Sequence, residues 1–188
     1  MTQEKNIALY DRYEQSLQTQ LSDMAAMRGW FSEPMPASTD LEEKWHELAP
    51  DYLNDAVGEY EQYPLSALAW AGFVGLAEAE WWEEDWQHNR MRGYHSLQGV
   101  GGFDDMDEFI LQNILHLSLD SSEAEELGTR LRLCAEIANG RLRHEGVEPG
   151  TVDAFYLFVR TVRVMYRIGV ALRLTQLGYK MEELKGGS

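Results

Sequence analysis

The sequence predicts an all-α fold: a single-domain bundle of about six helices, with central helices near residues 65–90 and 152–184. Three observations lead there. Leu (23), Glu (21) and Ala (16) outnumber Val, Ile and Thr combined by almost three to one, so strong helix formers dominate. Apolar residues recur at steps of three and four along most of the chain, the period of a helix that buries one face. A length of 188 residues with 44% hydrophobic content and six Trp suffices for one packed core and excludes general disorder.

Ile7, Tyr10, Leu17, Leu21 and Met24 define a first amphipathic helix of about 25 residues, closed by Gly29. The stretch WFSEPMPAST, with two prolines, is a loop. Asp40 and Glu43 form a capping box for a second helix that turns Leu41, Trp45, Leu48 and Tyr52 inward, and Pro50 is expected to break it in two. Tyr63-Pro64 separates it from a third helix starting near Leu65, because the residue before proline is pushed away from helical angles. On that helix Leu65, Leu68, Gly72, Gly75, Leu76 and Ala79 share one apolar face whose glycines admit a close neighbour. Ala67, Ala71 and Val74 make a second side apolar too, as a central helix requires. Glu80, Glu83, Glu84 and Asp85 would sit badly at a helix C-terminus, so the helix is expected to continue to about Arg92, where Arg90 and Arg92 suit the dipole.

The glycine-rich GYHSLQGVGG is the main loop. Asp105 and Glu108 resemble a further capping box, opening a short fourth helix with Met106, Ile110, Ile114 and Leu117 inward. Ser122 and Glu125 repeat the device before a fifth helix whose seam, Ala124, Leu127, Leu131, Cys134, Ala138 and Leu142, ends around Gly146. Pro149 and Thr151 precede the long sixth helix, expected from about Val152 to Leu184, and residues 185–188 read as a mobile tail.

Charge narrows the function classes. With 32 acidic against 16 basic residues the net charge is -16, which repels nucleic acid and anionic membrane surfaces. The longest uncharged stretch, residues 62–77, falls short of the roughly 20 residues a bilayer needs, so no membrane association is expected. An N-terminus without a continuous apolar run and a lone cysteine, Cys134, fit a cytoplasmic, reducing setting and exclude an intrachain disulfide framework. Glu43/His46 and Asp85/His88 share the spacing of Glu-x-x-His metal pairs, yet His46 falls off its apolar stripe; neither a metal nor a cofactor is expected. Gly99, Gly101 and Gly102 follow no strand and precede acids that would repel a phosphate, so they read as a turn. Cys134 belongs to a packing seam, and the His116 stripe to solvent.

The charge is also unevenly spread. Residues 1–128 hold 26 acids and 6 bases, whereas 129–188 hold 6 acids and 10 bases, which favours docking of the last two helices against the first four. Glu78 and Asp85 continue an apolar stripe of the third helix, flanked by Trp81 and Trp82, so burial should raise their pKa unless cations compensate. Arg160, Arg163 and Arg167, with Tyr156, form a basic stripe on the sixth helix. Arginine forks suit desolvated carboxylates, and these guanidiniums are expected to neutralise Glu78 and Asp85. The blander alternative is that the stripe is merely the solvated face of an amphipathic helix.

The candidate binding cluster is therefore Glu78, Trp81, Trp82, Asp85, Arg160, Arg163 and Arg167. Two functions fit. One is an interaction module whose acidic, tryptophan-bearing segment EAEWWEEDW docks a basic partner protein, as an inhibitor or immunity-type neutraliser would. The other is a small-ligand binder or enzyme using a pocket of about 300 Å³ or more between the third and sixth helices. Interaction is expected over catalysis, and the wide apolar circumference of those two helices permits a homodimer contact.

Overall fold

The computed structural model describes residues 2–179 and is all-helical, with no strand among the described residues. Six helices follow in chain order: α1 (Thr2–Met27), α2 (Thr39–Tyr60), α3 (Pro64–Asn89), α4 (Met106–Phe109), α5 (Ser122–His144) and α6 (Val152–Gln176). The most extensive contact is between α3 and α6; α1 lies on α6, α2 on α3, and α5 against both central helices.

Glycine makes the central contact close. A Cβ built on Gly169 would stand 1.9 Å from the Gly72 carbonyl oxygen, and one on Gly75 would stand 2.2 Å from that of Tyr166. The two backbones touch, so neighbours wrap both helices: every residue from Ala67 to Ala79 except half-buried Trp70 is buried, as is every residue from Val164 to Leu174 except Arg167. Buried phenols stitch the outer helices on. Tyr166 donates from α6 to the Leu41 carbonyl, Tyr52 donates from α2 to the Ala67 carbonyl, and Tyr13 shares a hydrogen bond with Thr161.

The helix ends follow local chemistry, with several departures from expectation. Gly29 takes a positive φ of 76° after α1, and Gly146 one of 68° after α5. Asp40 is not the cap of α2: the helix begins one residue earlier, behind an extended Ser38, and Asp40 accepts a hydrogen bond from the Trp82 indole. Pro50 does not break α2. It is exposed, so the carbonyl it cannot serve can face water, while buried Leu48 and Tyr52 hold the helix on either side. The Ser121 and Thr151 hydroxyls cap α5 and α6, each accepting the N–H three residues on.

Two elements differ more. The fourth helix is one α-turn that widens into a π-helical turn at Ile110–Ile114, which brings Leu111 and Leu115 into the core beside Ile110 and Ile114. Helix α6 stops at Gln176, before Gly178 at φ 93°, where Tyr179 turns back to donate its N–H to the Leu174 carbonyl. The expected extension over 180–184 and the tail at 185–188 lie outside the described residues. The third helix reaches Asn89, but Asp85 leaves helical angles (φ -168°, ψ 86°), and its carboxylate accepts the His88 N–H, starting a last separate turn. The expected continuation towards Arg92 is therefore jointed at an acid that caps it.

Because the α3–α6 crossing tolerates no Cβ, Gly169→Ala should lower unfolding free energy by about 2–4 kcal/mol through overpacking. Gly140→Ala, on α5 with open space around it, should raise stability by about 0.5–1 kcal/mol. Urea denaturation of the pair measures both, and equal effects would refute the crossing.

Candidate functional site

The basic stripe does not reach the carboxylates expected for it. Arg160 pairs with Asp11 at 2.6 Å and Glu14 at 3.3 Å, both on α1. Arg163 pairs with Glu42 of α2 at 3.0 Å. Arg167 holds Glu42 at 2.6 Å and Glu14 at 2.9 Å, and donates to Gln18 at 2.7 Å. Burial alone would raise the Glu42 pKa, but the Arg167 and Arg163 guanidiniums outweigh it and hold the group below its ordinary value. The stripe is neither a solvated face nor the partner of α3; it is a clamp of three arginines on acids of the first two helices. The reason is rotational: the glycine face of α6 is turned to α3, which leaves the arginines to face α1 and α2.

Glu78, Trp81, Trp82 and Asp85 consequently stand apart from Arg160, Arg163 and Arg167. Asp85 is exposed at the joint of α3. Trp81 is buried with the Arg92 guanidinium 5.2 Å from its ring, and half-buried Trp82 packs edge-on against Tyr179. Glu78 is completely buried, and neither carboxylate oxygen has a hydrogen-bond partner. Burial pushes its pKa up to about 8; Lys44 lowers it and Glu47 raises it, both more weakly.

Two cations that sequence reasoning passed over complete this region. Arg173 of α6 pairs with Glu80 of α3 at 2.6 Å, both nearly buried, so an arginine–carboxylate bond does join the central helices, two residues beyond Glu78 on α3 and six beyond Arg167 on α6. Lys44 is 4% exposed, and its ammonium donates to the Arg90 carbonyl at 2.7 Å, the Arg92 carbonyl at 2.8 Å and Glu47 at 3.3 Å. A signal for Lys44 existed. It falls on the stripe Leu41, Trp45, Leu48 and Tyr52, where a charge is out of place without dedicated acceptors.

The α3 and α6 backbones touch at Gly72, Gly75 and Gly169, which leaves no room for a pocket at that crossing. Two clefts lie elsewhere. One, of about 390 Å³, runs between α2 and the end of α3, lined by Asp40, Glu43, Lys44, Glu47, Trp86, Arg90, Met91, Arg92 and Gly93. The other, of about 440 Å³, lies among α1, the 33–38 loop, α2 and α6; Met35, Leu41, Tyr166 and Val170 supply apolar surface, and Asp23, Glu33, Glu42 and Arg167 charge. Among the described residues no group of three or more His, Cys, Asp or Glu is placed to hold a metal ion; His46 and His88 are exposed. Cys134 is buried, which pushes its thiol up to about 12. Among the described residues no helix is long and apolar enough to cross a membrane. No protein-family model, curated protein or solved structure matches the chain.

Between its unfolded pKa near 4.5 and its folded value of about 8, Glu78 keeps a proton that the unfolded chain has released, so folding stability falls as pH rises through that window. Glu78→Gln should therefore be more stable than the parent by about 1–3 kcal/mol at pH 8, with the gain vanishing towards pH 4.5. Denaturant midpoints at pH 5 and pH 8 measure this; a pH-independent difference would show that Glu78 ionises normally.

Proposed function

We propose that this protein is an interaction module whose acidic, aromatic-edged face takes up a basic partner protein, as an inhibitor or immunity-type neutraliser does. The supporting observation is the inward use of its positive charge. Arg160, Arg163, Arg167, Arg173 and Lys44 are all bonded within the molecule. Asp40, Glu43, Glu47, Glu83, Glu84 and Asp85 remain exposed around half-buried Trp82 and Trp86 and exposed Met91. A predominantly acidic face, with Arg90 and Arg92 also exposed at its cleft, beside apolar anchors has the two parts a fast and specific encounter needs: a field that steers the partner in, and side chains that exclude water once it arrives.

A second reading, binding of a small organic molecule, is favoured by the 440 Å³ groove beside Arg167. Arg167 is already engaged by two carboxylates and Gln18, so the acids at that groove would favour a cationic ligand.

The test is affinity capture from the native host at low salt, using the wild type, the triple variant Asp40→Asn/Glu43→Gln/Glu47→Gln, and a control, Glu123→Gln/Glu125→Gln, altered at exposed acids on α5. A basic protein should bind the wild type and the control, be lost from the triple variant, and elute as salt rises to about 0.5 M. Capture that survives high salt, or that ignores the triple variant, would refute an electrostatic face at this position.

A further inference from the structure

The ammonium of Lys44 is held as a bound ligand would be. It has three N–H donors, and three acceptors converge on it: the Arg90 and Arg92 carbonyls and a Glu47 carboxylate oxygen. The carbonyls lie at the end of α3, where helix geometry leaves such groups unused and the dipole favours a cation. Trp86 walls the same cleft, and Asp40 and Glu43 line it. Glu78 of α3 lies close enough to feel the charges of Lys44 and Glu47, and it is fully buried with both oxygens unpartnered. The charged or titratable groups that bear on it are Lys44 and Glu47 from α2 and Tyr166 from α6, and the Tyr166 hydroxyl is committed to the Leu41 carbonyl.

We propose that this cage is a receptor site for a lysine side chain of the partner protein, filled from within by Lys44 in the free molecule, and that Glu78 is the berth to which Lys44 withdraws when the incoming ammonium takes its place. The inference rests on the acidic-face reading above and adds the chemistry of the contact. It accounts for two anomalies together: a buried lysine bonded mainly to carbonyls, and a buried acid bonded to nothing. Charge balances through the exchange. The cage keeps one cation, Lys44 and Glu78 become an ion pair, and the proton that Glu78 held passes to solvent. A guanidinium suits the cage poorly, because its donors spread in a planar fork whereas these acceptors converge on one nitrogen.

The test has two arms. In the first, Lys44→Ala empties the cage, and n-butylammonium should raise the melting temperature of the variant by several degrees and that of the wild type, where it must displace Lys44, by much less; 1-butanol and guanidinium should stabilise neither. No selective rescue overturns the cage. In the second, an acetylated pentalysine amide is titrated at pH 7 by calorimetry in two buffers of different ionisation enthalpy. The wild type should release close to one proton on binding, whereas Glu78→Gln should bind about tenfold more weakly and release none. Binding of the wild type without proton release overturns withdrawal to Glu78. Selective butylammonium rescue with no binding of pentalysine to wild type or Lys44→Ala overturns the acidic-face reading and leaves the cage standing. If Lys44→Ala does not fold, Glu78→Gln decides alone, since unaltered affinity and proton release in that variant overturn the withdrawal.

Discussion

Helices α3 and α6 meet backbone to backbone through Gly72, Gly75 and Gly169, and most of the molecule is arranged by that contact. Helices brought this near leave no room for a cavity between them, and each must then be covered on its remaining sides by other helices. The contact also sets the rotation of α6. With its small residues turned to α3, Arg160, Arg163 and Arg167 point across α1 and α2, and Tyr166 is aimed at the start of α2. An apolar stripe with glycines thus determines where the charges go.

The arginine clamp is better seen as a device for register than as a large source of stability. Arg160, Arg163 and Arg167 are each about one-fifth to one-quarter exposed, at 19%, 25% and 19%, so water screens part of their attraction to the acids. Their geometry is nevertheless specific. Arg167 reaches Glu14 on α1 and Glu42 on α2 at once, so a slip of either helix by one turn would leave a partly desolvated charge without its partner. The Arg173–Glu80 pair does the same between the central helices.

Helix number, order and inner faces were legible in the sequence because they follow from periodicity and punctuation, which act locally: the glycine face of α3, the seam of α5 and the stops at Gly29 and Gly146 were all visible there. The pairing of charges was not. A stripe such as Arg160, Arg163 and Arg167 shows which face of α6 is basic, but not whether α3 or α1 lies opposite, since that depends on how the helices cross. The joint at Asp85 and the π-turn at 110–114 escaped for a related reason, since each changes the helical repeat that periodicity assumes to be constant. Lys44 was the instructive miss. Its place on an apolar stripe was in plain view, but the carbonyls that make it tolerable come from residues 46 and 48 positions further along the chain.

The order of elements has a consequence for synthesis on the ribosome. Helix α3 is the third element to be made and α6 the sixth, so the groove that accepts Gly169 waits, uncovered, while more than 75 further residues are translated. During that interval the nascent chain carries 26 acids and only 6 bases through residue 128. Like charges keep such an unfinished chain extended and discourage it from sticking to its neighbours. The arginines of α6 are made late, and their docking gives acids of α1 and α2 the partners they had lacked, although the net charge eases only from -20 to -16.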